Sequence, residues 1–322
     1  MIADVGAYLV FFTVIASTYA LVCVGLNVHW GYTGLFNVGV AGFVAIGAYT
    51  SAILTAGTSA DRVAGLTWPI AVGWIAAAVS AGVVALGVGL ITLRLRHDYL
   101  AIATFGIAVT IQLLATNLVK LTGGPFGVHG IPRPFAGTVA SPLARNVVYL
   151  VLVVALVAAI YAAVERLVRS PWGRVLRGLR EDEAAAAALG KSPAAFRLQA
   201  FVIGAMVMGL AGAVYAHFVG FVAPEDFLPI LTFQAWTMLV VGGVGNNRGA
   251  MAGAVLVWAL WSASGATLSA LLPQAMQARG AALQTVLIGV VLVVALLVRP
   301  RGILGEEAVV SRHARVEAAA PR

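Results

Sequence analysis

The chain has 322 residues, of which 61% are hydrophobic and only 10% are charged, and its mean hydropathy is +0.98. Soluble domains are closer to half apolar and a quarter charged, so this composition excludes a soluble globular protein and a disordered one. A single cysteine, Cys23, excludes a disulfide-stabilised scaffold. The net charge of +8 is concentrated beside apolar segments. We therefore predict an integral membrane protein in contact with the lipid bilayer, with no nucleic-acid partner.

Nine apolar stretches approach the roughly 20 residues that a helix needs to cross the hydrocarbon core. They are residues 5–28, 35–56, 68–93, 99–119, 147–164, 198–222, 228–244, 250–272 and 281–298. The second contains Gly39, Gly42 and Gly47, and the seventh is short and ends in glycines, so each is a candidate broken or re-entrant helix. We predict an all-α, polytopic bundle of about eight to nine transmembrane helices with one or two broken or re-entrant segments.

The basic residues predict the orientation of these spans. If nine spans start from an external N-terminus, 15 of the 20 Lys and Arg residues fall in inner segments and 5 in outer ones. Because cytoplasmic loops carry the excess of positive charge, the long basic loop over 169–197 and the C-terminus are predicted to be cytoplasmic. The first stretch has no leading positive charge and is longer than a typical signal-peptide core, so we treat it as a span.

No ionisable residue lies at the centre of a predicted span. All 12 Asp and Glu residues and all 20 Lys and Arg residues fall at span ends or in loops. Charges at mid-membrane usually mark proton relays, ion paths or voltage sensors, so the sequence disfavours a proton-driven transporter, a pump and a voltage-gated channel. Sodium coupling through backbone carbonyls needs no charged side chain and stays open.

The sequence predicts neither catalytic residues nor a metal site. The five histidines show no metal-ligand spacing with one another or with Cys23. They are His29, His97, His129, His217 and His313. No nucleophile has a base partner, and the chain lacks the G-x-x-x-x-G-K-[ST] phosphate loop. We therefore expect a chain that is not an enzyme and needs no cofactor, and any ATP hydrolysis belongs to another polypeptide.

Small residues recur at helical spacing in two of the spans. The first stripe contains Ala205, Gly209 and Ala213, and the second contains Gly245, Gly249 and Gly253. Such stripes let helix backbones approach closely in lipid. We interpret them as helix-packing seams, which lie either within the chain or between subunits or moving halves.

Uncharged polar residues are sparse in the spans and must find partners inside the protein rather than in lipid. Asn37 adjoins the glycine interruption at Gly39 and Gly42, so unwound backbone there is a candidate lining for a pathway. An ordinary interhelical hydrogen bond is the alternative interpretation. The residues that we predict to line the translocation pathway are Asn37, Gly39, Gly42 and, from a later span, Thr104.

The loop over 169–197 contains the clearest local signals in the chain. Ser170 followed by Pro171 predicts a helix start with serine as N-cap. The predicted apolar face of this helix contains Trp172, Val175, Leu176 and Leu179, with Arg174, Arg177 and Arg180 away from it. The pattern indicates an amphipathic helix lying on the inner surface of the membrane.

A second, alanine-rich helix is predicted directly after the first. The acidic run at 181–183 suits the positive end of a helix dipole, and Gly190 suits a C-terminal stop. Ser192 and Pro193 then restart a helix that leads into the sixth span. This short helix is either a docking knob for a partner or a solvated connector.

Five stretches of the chain carry a family resemblance. They are GLNVHWGYTGLFNVGVAGFVAIGAYT (25–50), LRLRHDYLAIATFGIA (93–108), LTGGPFGVHGIP (121–132), GRVLRGLREDEAAAAALGKSPAAFRLQAFVIGAMVMGLAGAVYAHFVG (173–220) and LVVGGVGNNRGAMAGA (239–254). In this order they resemble the permease subunit of branched-chain amino acid ABC importers, the LivM type. The segment RPRGILG (299–305) is similar to the family's ending.

The resemblance implies an importer built from two homologous permeases, two cytoplasmic ABC ATPases and an external solute-binding protein, in a bacterial inner membrane. We place a transmembrane permease domain at 1–301, with a cytoplasmic coupling loop at 169–197. Residues 302–322 form a cytoplasmic tail that charge and small residues predict to be disordered. The residues that the resemblance assigns to ATPase coupling are Arg180, Glu181, Asp182, Glu183, Ala187 and Gly190.

The substrate that the resemblance implies is leucine, isoleucine or valine. A pathway without mid-membrane charge suits such a net-neutral zwitterion. Residues 38–42 and 246–248 differ from the family's usual pattern. Related permeases for urea or short amides share much of that pattern, so urea or a short amide stays open as the alternative substrate. An ATP-independent facilitator is the alternative outside the family, and it leaves the loop over 169–197 unexplained.

Overall fold

The computed structural model describes residues 2–57, 65–95, 97–135, 141–273 and 276–306. The helices in these residues are α1 (Ile2–Thr33), α2 (Val40–Thr55), α3 (Ile70–Thr92), α4 (His97–Asn117), α5 (Val119–Thr122), α6 (Pro142–Arg169), α7 (Pro171–Glu181), α8 (Glu183–Ala188), α9 (Pro193–Val219), α10 (Pro229–Gly242), α11 (Asn247–Leu271) and α12 (Gln277–Val298). Two 3₁₀ turns, Gly124–Phe126 and Pro224–Phe227, and two short strands, β1 (Val128–His129) and β2 (Phe221–Val222), complete the described elements.

Six of the described helices are long and apolar enough to cross a membrane, namely α1, α3, α4, α6, α9 and α11. Helices α2 and α10 and the Ala282–Val298 part of α12 are apolar but shorter. Large apolar side chains such as Ile75, Ile102 and Val286 face outward, as a bilayer environment requires. The predicted all-α membrane bundle is confirmed, and the protein is a multi-pass membrane protein. The number of crossings stays a prediction.

Helix α9 forms the centre of the bundle, because it packs against α1, α2 and α3 at once. Its glycines make this possible: a Cβ on Gly204 would lie 2.6 Å from the carbonyl oxygen of Gly25, and one on Gly209 would lie 2.8 Å from that of Ala77. A Cβ on Gly47 would collide with the backbone of Gly209. Apolar helices gain little from hydrophobic burial in lipid, so this close backbone packing stabilises the bundle.

The two predicted stripes of small residues lie at seams within the chain. Ala205 and Ala213 are fully buried on α9 with Gly209, which faces α3. On α11, a Cβ on Gly249 would lie 2.7 Å from the carbonyl oxygen of Gly242, and one on Gly253 would collide with α10. The third glycine of that stripe, Gly245, precedes α11, and a Cβ on it would lie 2.9 Å from the carboxyl carbon of Glu306.

A buried polar network joins α1, α6 and α11 near the ends that carry most of the arginines. The Asn27 side-chain amide donates to Asn247 Oδ1 at 2.9 Å, and the Asn247 amide donates to Glu165 Oε2 at 2.8 Å. Asn27 Oδ1 also accepts from the Gly245 N–H at 2.9 Å. The network satisfies buried amides inside the protein, where lipid offers no partner.

At the opposite end of the bundle, glycine turns shape residues 123–130, directly after α5. Gly123, Gly124, Gly127 and Gly130 all have positive φ angles, which glycine adopts without strain. Strand β1 then pairs antiparallel with β2, in the register Val128 to Val222. The pairing was not predicted from the sequence, and it fixes this segment against the end of α9.

We expect Gly209→Leu to destabilise the bundle, because the added side chain would drive α9 away from α3. The free energy of unfolding should fall by about 3 kcal/mol, the upper end for overpacking. Thermal unfolding of the detergent-solubilised protein measures the effect. Gly87→Leu on α3 is the matched control, since a Cβ there meets nothing within 4 Å. Equal melting temperatures for the two variants would contradict the packing account.

Candidate functional site: a helix break and the segment over 169–197

The chain is not helical over residues 34–39, between α1 and α2. Of the three glycines that predicted an interrupted second span, only Gly39 lies in this segment. The expected interruption at Gly42 and Gly47 was wrong, because α2 runs unbroken from Val40 to Thr55. Gly34 makes the turn with a φ of 71°, and its N–H donates to the Trp30 carbonyl at 2.9 Å. The Leu35 N–H donates to the His29 carbonyl at 2.9 Å, which closes the turn. The remaining backbone groups of the break need partners from elsewhere in the bundle.

Asn37 is fully buried and supplies several of these partners. Its Nδ2 donates to His29 Nδ1 at 3.0 Å, and its Oδ1 accepts from the Gly39 N–H at 2.8 Å. Its backbone carbonyl accepts from the indole N–H of Trp236, on α10, at 3.1 Å. His29 Nε2, 2.8 Å from the Phe201 carbonyl, donates to it, since Nδ1 is the acceptor for Asn37. Asn37 thus links the break to α1, α9 and α10.

Two threonine hydroxyls cap the start of α2. The Val38 N–H donates to Thr104 Oγ1 at 3.0 Å, and the Ala41 N–H donates to Thr232 Oγ1 at 3.1 Å. These hydroxyls come from α4 and α10, so the break is held from both sides. They take the place of the side-chain N-cap that Gly39 cannot provide.

The structure brings the four predicted pathway residues together. A Cβ on Gly39 would lie 2.7 Å from the Thr104 carbonyl oxygen and 3.1 Å from Asn37 Oδ1, and one on Gly42 would lie 3.0 Å from Ala108 Cα. Sequence analysis missed three further residues of this site, His29, Thr232 and Trp236. No spacing rule connects them with Asn37, because the contacts arise only when α1, α9 and α10 pack around the break.

Local signals correctly predicted the helix boundaries in the segment over 169–197. Ser170 Oγ accepts from the Trp172 N–H at 3.2 Å at the start of α7, and Asp182 Oδ1 accepts from the Ala185 N–H at 3.0 Å at the start of α8. Gly190 has a φ of 76° just beyond the end of α8, and Pro193 begins α9. Each boundary follows from a side chain or a backbone preference that acts within a few residues.

Helix α8 forms a protruding knob on this segment. Glu181, Asp182, Ala187 and Gly190 are exposed, and the Leu189 side chain is 80% exposed, so the knob has an apolar tip. Only Ala186 of the alanine run is buried. Glu183 Oε2 lies 2.9 Å from Arg197 Nη1 on α9, and this ion pair attaches the knob to the central helix.

The prediction that Arg180 lies away from the apolar face of α7 was wrong. Arg180 comes four residues after Leu176 and so shares its buried face, because a helix turns about 100° per residue. Its side chain, 23% exposed, donates to the Gly31 carbonyl on α1 and to Glu306 Oε2, the latter at 2.8 Å. A Cβ on Gly34 would lie 3.2 Å from Arg180 Cγ. Arg180 therefore joins the segment over 169–197 to the residues that lead into the break.

A cavity of about 380 Å³ lies among α1, α2, α9, α10 and α11, and its walls are mostly apolar and aromatic. Asp226, from the turn before α10, is the one acidic residue in this lining. Burial raises the pKa of Asp226, while hydrogen bonds from the Ala223 N–H and the Tyr215 hydroxyl act in the opposite direction. The buried indole N–H of Trp258 has no hydrogen-bond acceptor among the described residues. The cavity thus combines apolar walls with a carboxylate and an unpaired donor.

These features define a multi-pass helical membrane protein in which the exposed segment over 169–197 is hydrogen-bonded to the end of α1, beside the break. Residues 8–296 match the family model described as branched-chain amino acid transport system / permease component. The chain belongs to this family, which consists of transport permease subunits rather than enzymes.

Named relatives cover most of the chain. It is 35% identical over 265 residues to the high-affinity branched-chain amino acid transport system permease protein LivM of Salmonella typhimurium, and equally so to that of Escherichia coli. The match covers 74% of this chain and 59% of each relative, so the chain spans well under two thirds of the LivM length. LivH of Salmonella typhimurium is 27% identical over 304 residues, covering 90% of this chain and 92% of LivH. No solved structure matches the chain.

We expect Asn37→Ala to destabilise the protein by about 2 kcal/mol, because it leaves the buried His29 ring and the Gly39 N–H without their partner. Asn117→Ala is the matched control, since the exposed Asn117 amide bonds only to the Leu113 carbonyl of its own helix among the interactions described. Thermal unfolding in detergent measures the stability of the Asn37→Ala and Asn117→Ala variants. A loss for Asn37→Ala no larger than that for Asn117→Ala would contradict the role of Asn37 in holding the break.

Proposed function

We propose that the chain is the membrane-spanning permease subunit of an ABC importer that moves branched-chain amino acids across the inner membrane of a bacterium. The observation that carries this proposal is the contact of Arg180 with Gly31, which joins an exposed docking segment to the helix break. A facilitator that works alone needs no such segment. The family supports the same conclusion, because its LivM and LivH members are named as branched-chain amino acid permeases.

In this proposal two cytoplasmic ABC ATPases drive transport, and ATP hydrolysis belongs to those chains. One ATPase docks on the coupling segment over 169–197, where Leu189 offers an apolar tip and Glu181, Asp182 and Glu183 offer charge. Closure of the ATPases pushes on α7 and α8, and Arg180 passes the displacement to the end of α1. The break then rearranges, and Asn37, Gly39, Gly42 and Thr104 line the translocation pathway.

The importer also contains a second homologous permease and a periplasmic or extracellular solute-binding protein. The β1–β2 pairing supports the latter, because it gives the outer face a fixed surface for a protein partner. The C-terminus is cytoplasmic. A cavity of about 230 Å³ beside α7 supports this orientation, because its lining contains four arginines and only two acids, Glu165 and Glu306. Inner surfaces carry such an excess of positive charge.

The cavity near Asp226 favours an amino acid over urea. An aliphatic side chain of leucine, isoleucine or valine matches its apolar walls, and the Asp226 carboxylate matches an ammonium group. Urea has no aliphatic part and carries no charge, so it would gain little from either the apolar walls or the Asp226 carboxylate.

Reconstitution tests the proposal directly. Proteoliposomes that contain the chain with its partner permease and ATPases should take up labelled leucine only when ATP and the solute-binding protein are both present. Uptake of urea in place of leucine would support the amide alternative. Leucine uptake by the chain alone, without ATP, would contradict the proposal and support a facilitator.

We expect Glu183→Lys to uncouple hydrolysis from transport, because the new charge repels Arg197 and displaces α8. Leucine uptake should fall about tenfold while the protein stays inserted and folded, a loss within the usual range of coupling between sites. The double variant Glu183→Lys with Arg197→Glu restores the pair and should recover part of the uptake. Normal uptake by Glu183→Lys alone would contradict the coupling role of the segment.

We expect Asp226→Asn to reduce leucine uptake at least about fivefold, because an amide binds an ammonium group less strongly than a carboxylate does. Glu225→Gln is the matched control, since this neighbouring acid is exposed and does not line the cavity. Initial uptake rates and melting temperatures of both variants provide the measurement. Equal rates at equal stability would exclude Asp226 from solute binding.

A further inference from the structure

We propose that residues 301–306, which we call the C-terminal strap, connect the coupling segment to α10 and are part of the coupling machinery. This inference rests on the proposed function. The strap falls in the segment that composition assigned to a disordered tail, but residues 302–306 are bonded to the bundle, while residues 307–322 lie outside the described part of the chain.

The strap is attached to the last turn of α10 by backbone hydrogen bonds. The Ile303 N–H donates to the Val241 carbonyl and the Leu304 N–H to the Gly242 carbonyl, both at 2.9 Å. The last carbonyls of a helix lack partners within the helix, so the strap satisfies groups that would otherwise be unpaired. A Cβ on Gly243 would collide with the Leu304 carbonyl, so glycine is required for this close approach.

A second attachment reaches the start of α11. The Asn246 amide donates to the Gly305 carbonyl at 3.2 Å, while its Oδ1 caps α11 by accepting from the Arg248 and Gly249 N–H groups. A Cβ on Gly249 would lie 2.9 Å from the Leu304 carbonyl oxygen. The strap is therefore fixed where α10 and α11 meet.

The free end of this attachment is the Glu306 carboxylate, which contacts the coupling segment. Glu306 Oε2 lies 2.8 Å from Arg180 Nη2, and the two side chains are 33% and 23% exposed. Partial burial makes this pair less screened than an exposed surface pair. Because Arg180 also donates to the Gly31 carbonyl, Glu306 holds the guanidinium group in the position that reaches α1.

Together these contacts give the coupling segment two connections to the break. One runs from Arg180 through Gly31 to the end of α1. The other runs from Arg180 through Glu306 and the strap to α10, which supplies Trp236 and Thr232 to the break. Displacement of α7 therefore acts on both sides of residues 34–39, and Glu306 is a positioning residue for that displacement.

Glu306→Gln tests the inference, because it keeps the side-chain shape and removes the charge. In the reconstituted importer we expect the ratio of ATP hydrolysed to leucine transported to rise about fivefold, as coupling between sites is weakened. The matched control is Glu307→Gln at the next acid of the sequence. A chain that ends at Pro300 lacks the whole strap, so its ratio of ATP hydrolysed to leucine transported should rise more than that of Glu306→Gln. A chain that ends at Glu307 keeps the strap and should keep the wild-type ratio.

The outcomes separate the strap from the proposed function. If the wild-type complex transports leucine and Glu306→Gln raises the ratio with an unchanged melting temperature, the inference is supported. If the wild type transports and both Glu306→Gln and the chain ending at Pro300 keep the wild-type ratio, the strap has no coupling role. If the wild-type complex does not use ATP to transport leucine, the proposed function itself fails.

Discussion

The break between α1 and α2 imposes the constraint on which the rest of this structure depends. Buried backbone N–H and C=O groups that leave a helix lose their helical partners, and they are costly unless other groups of the protein pair with them. Here Asn37, Thr104, Thr232 and Trp236 supply them, and they come from the break itself, α4 and α10. The break can therefore exist only where these helices meet, and any change in their packing changes its hydrogen bonds.

The bundle around the break combines close backbone contacts with large buried side chains such as Phe201 and Trp236. Helix α9 can lie close to its neighbours because the contacts contain Gly25, Gly204 and Gly209. Helices α10 and α11 lie close to each other at Gly242 and Gly253. Close-packed backbone contacts have low compressibility, so they deform less readily than contacts between flexible side chains. In the proposed importer, a push on residues 169–197 would therefore reach the break as a movement of whole helices.

Sequence reasoning succeeded where a signal acts locally and failed where a contact depends on packing. Ser170, Asp182 and Gly190 mark helix boundaries through their own hydrogen bonds or backbone angles, and all three boundaries were predicted. His29 was not predicted, since its partner Asn37 becomes its neighbour only through the turn at Gly34. Arg180 was assigned to the wrong face because its charge was weighed above its helical position. The Glu306 contact was missed because composition alone indicated a disordered tail.

The central claim is that the break responds to the ATPases through Arg180, and accessibility at position 38 tests it most directly. A single cysteine at the half-buried Val38, with the buried Cys23 replaced by alanine, reports on the break in the reconstituted importer. The account predicts that a non-hydrolysable ATP analogue changes the rate of maleimide labelling at least about threefold, and that Arg180→Ala abolishes the change. Equal labelling rates with and without the nucleotide, in a complex that transports leucine, would contradict it.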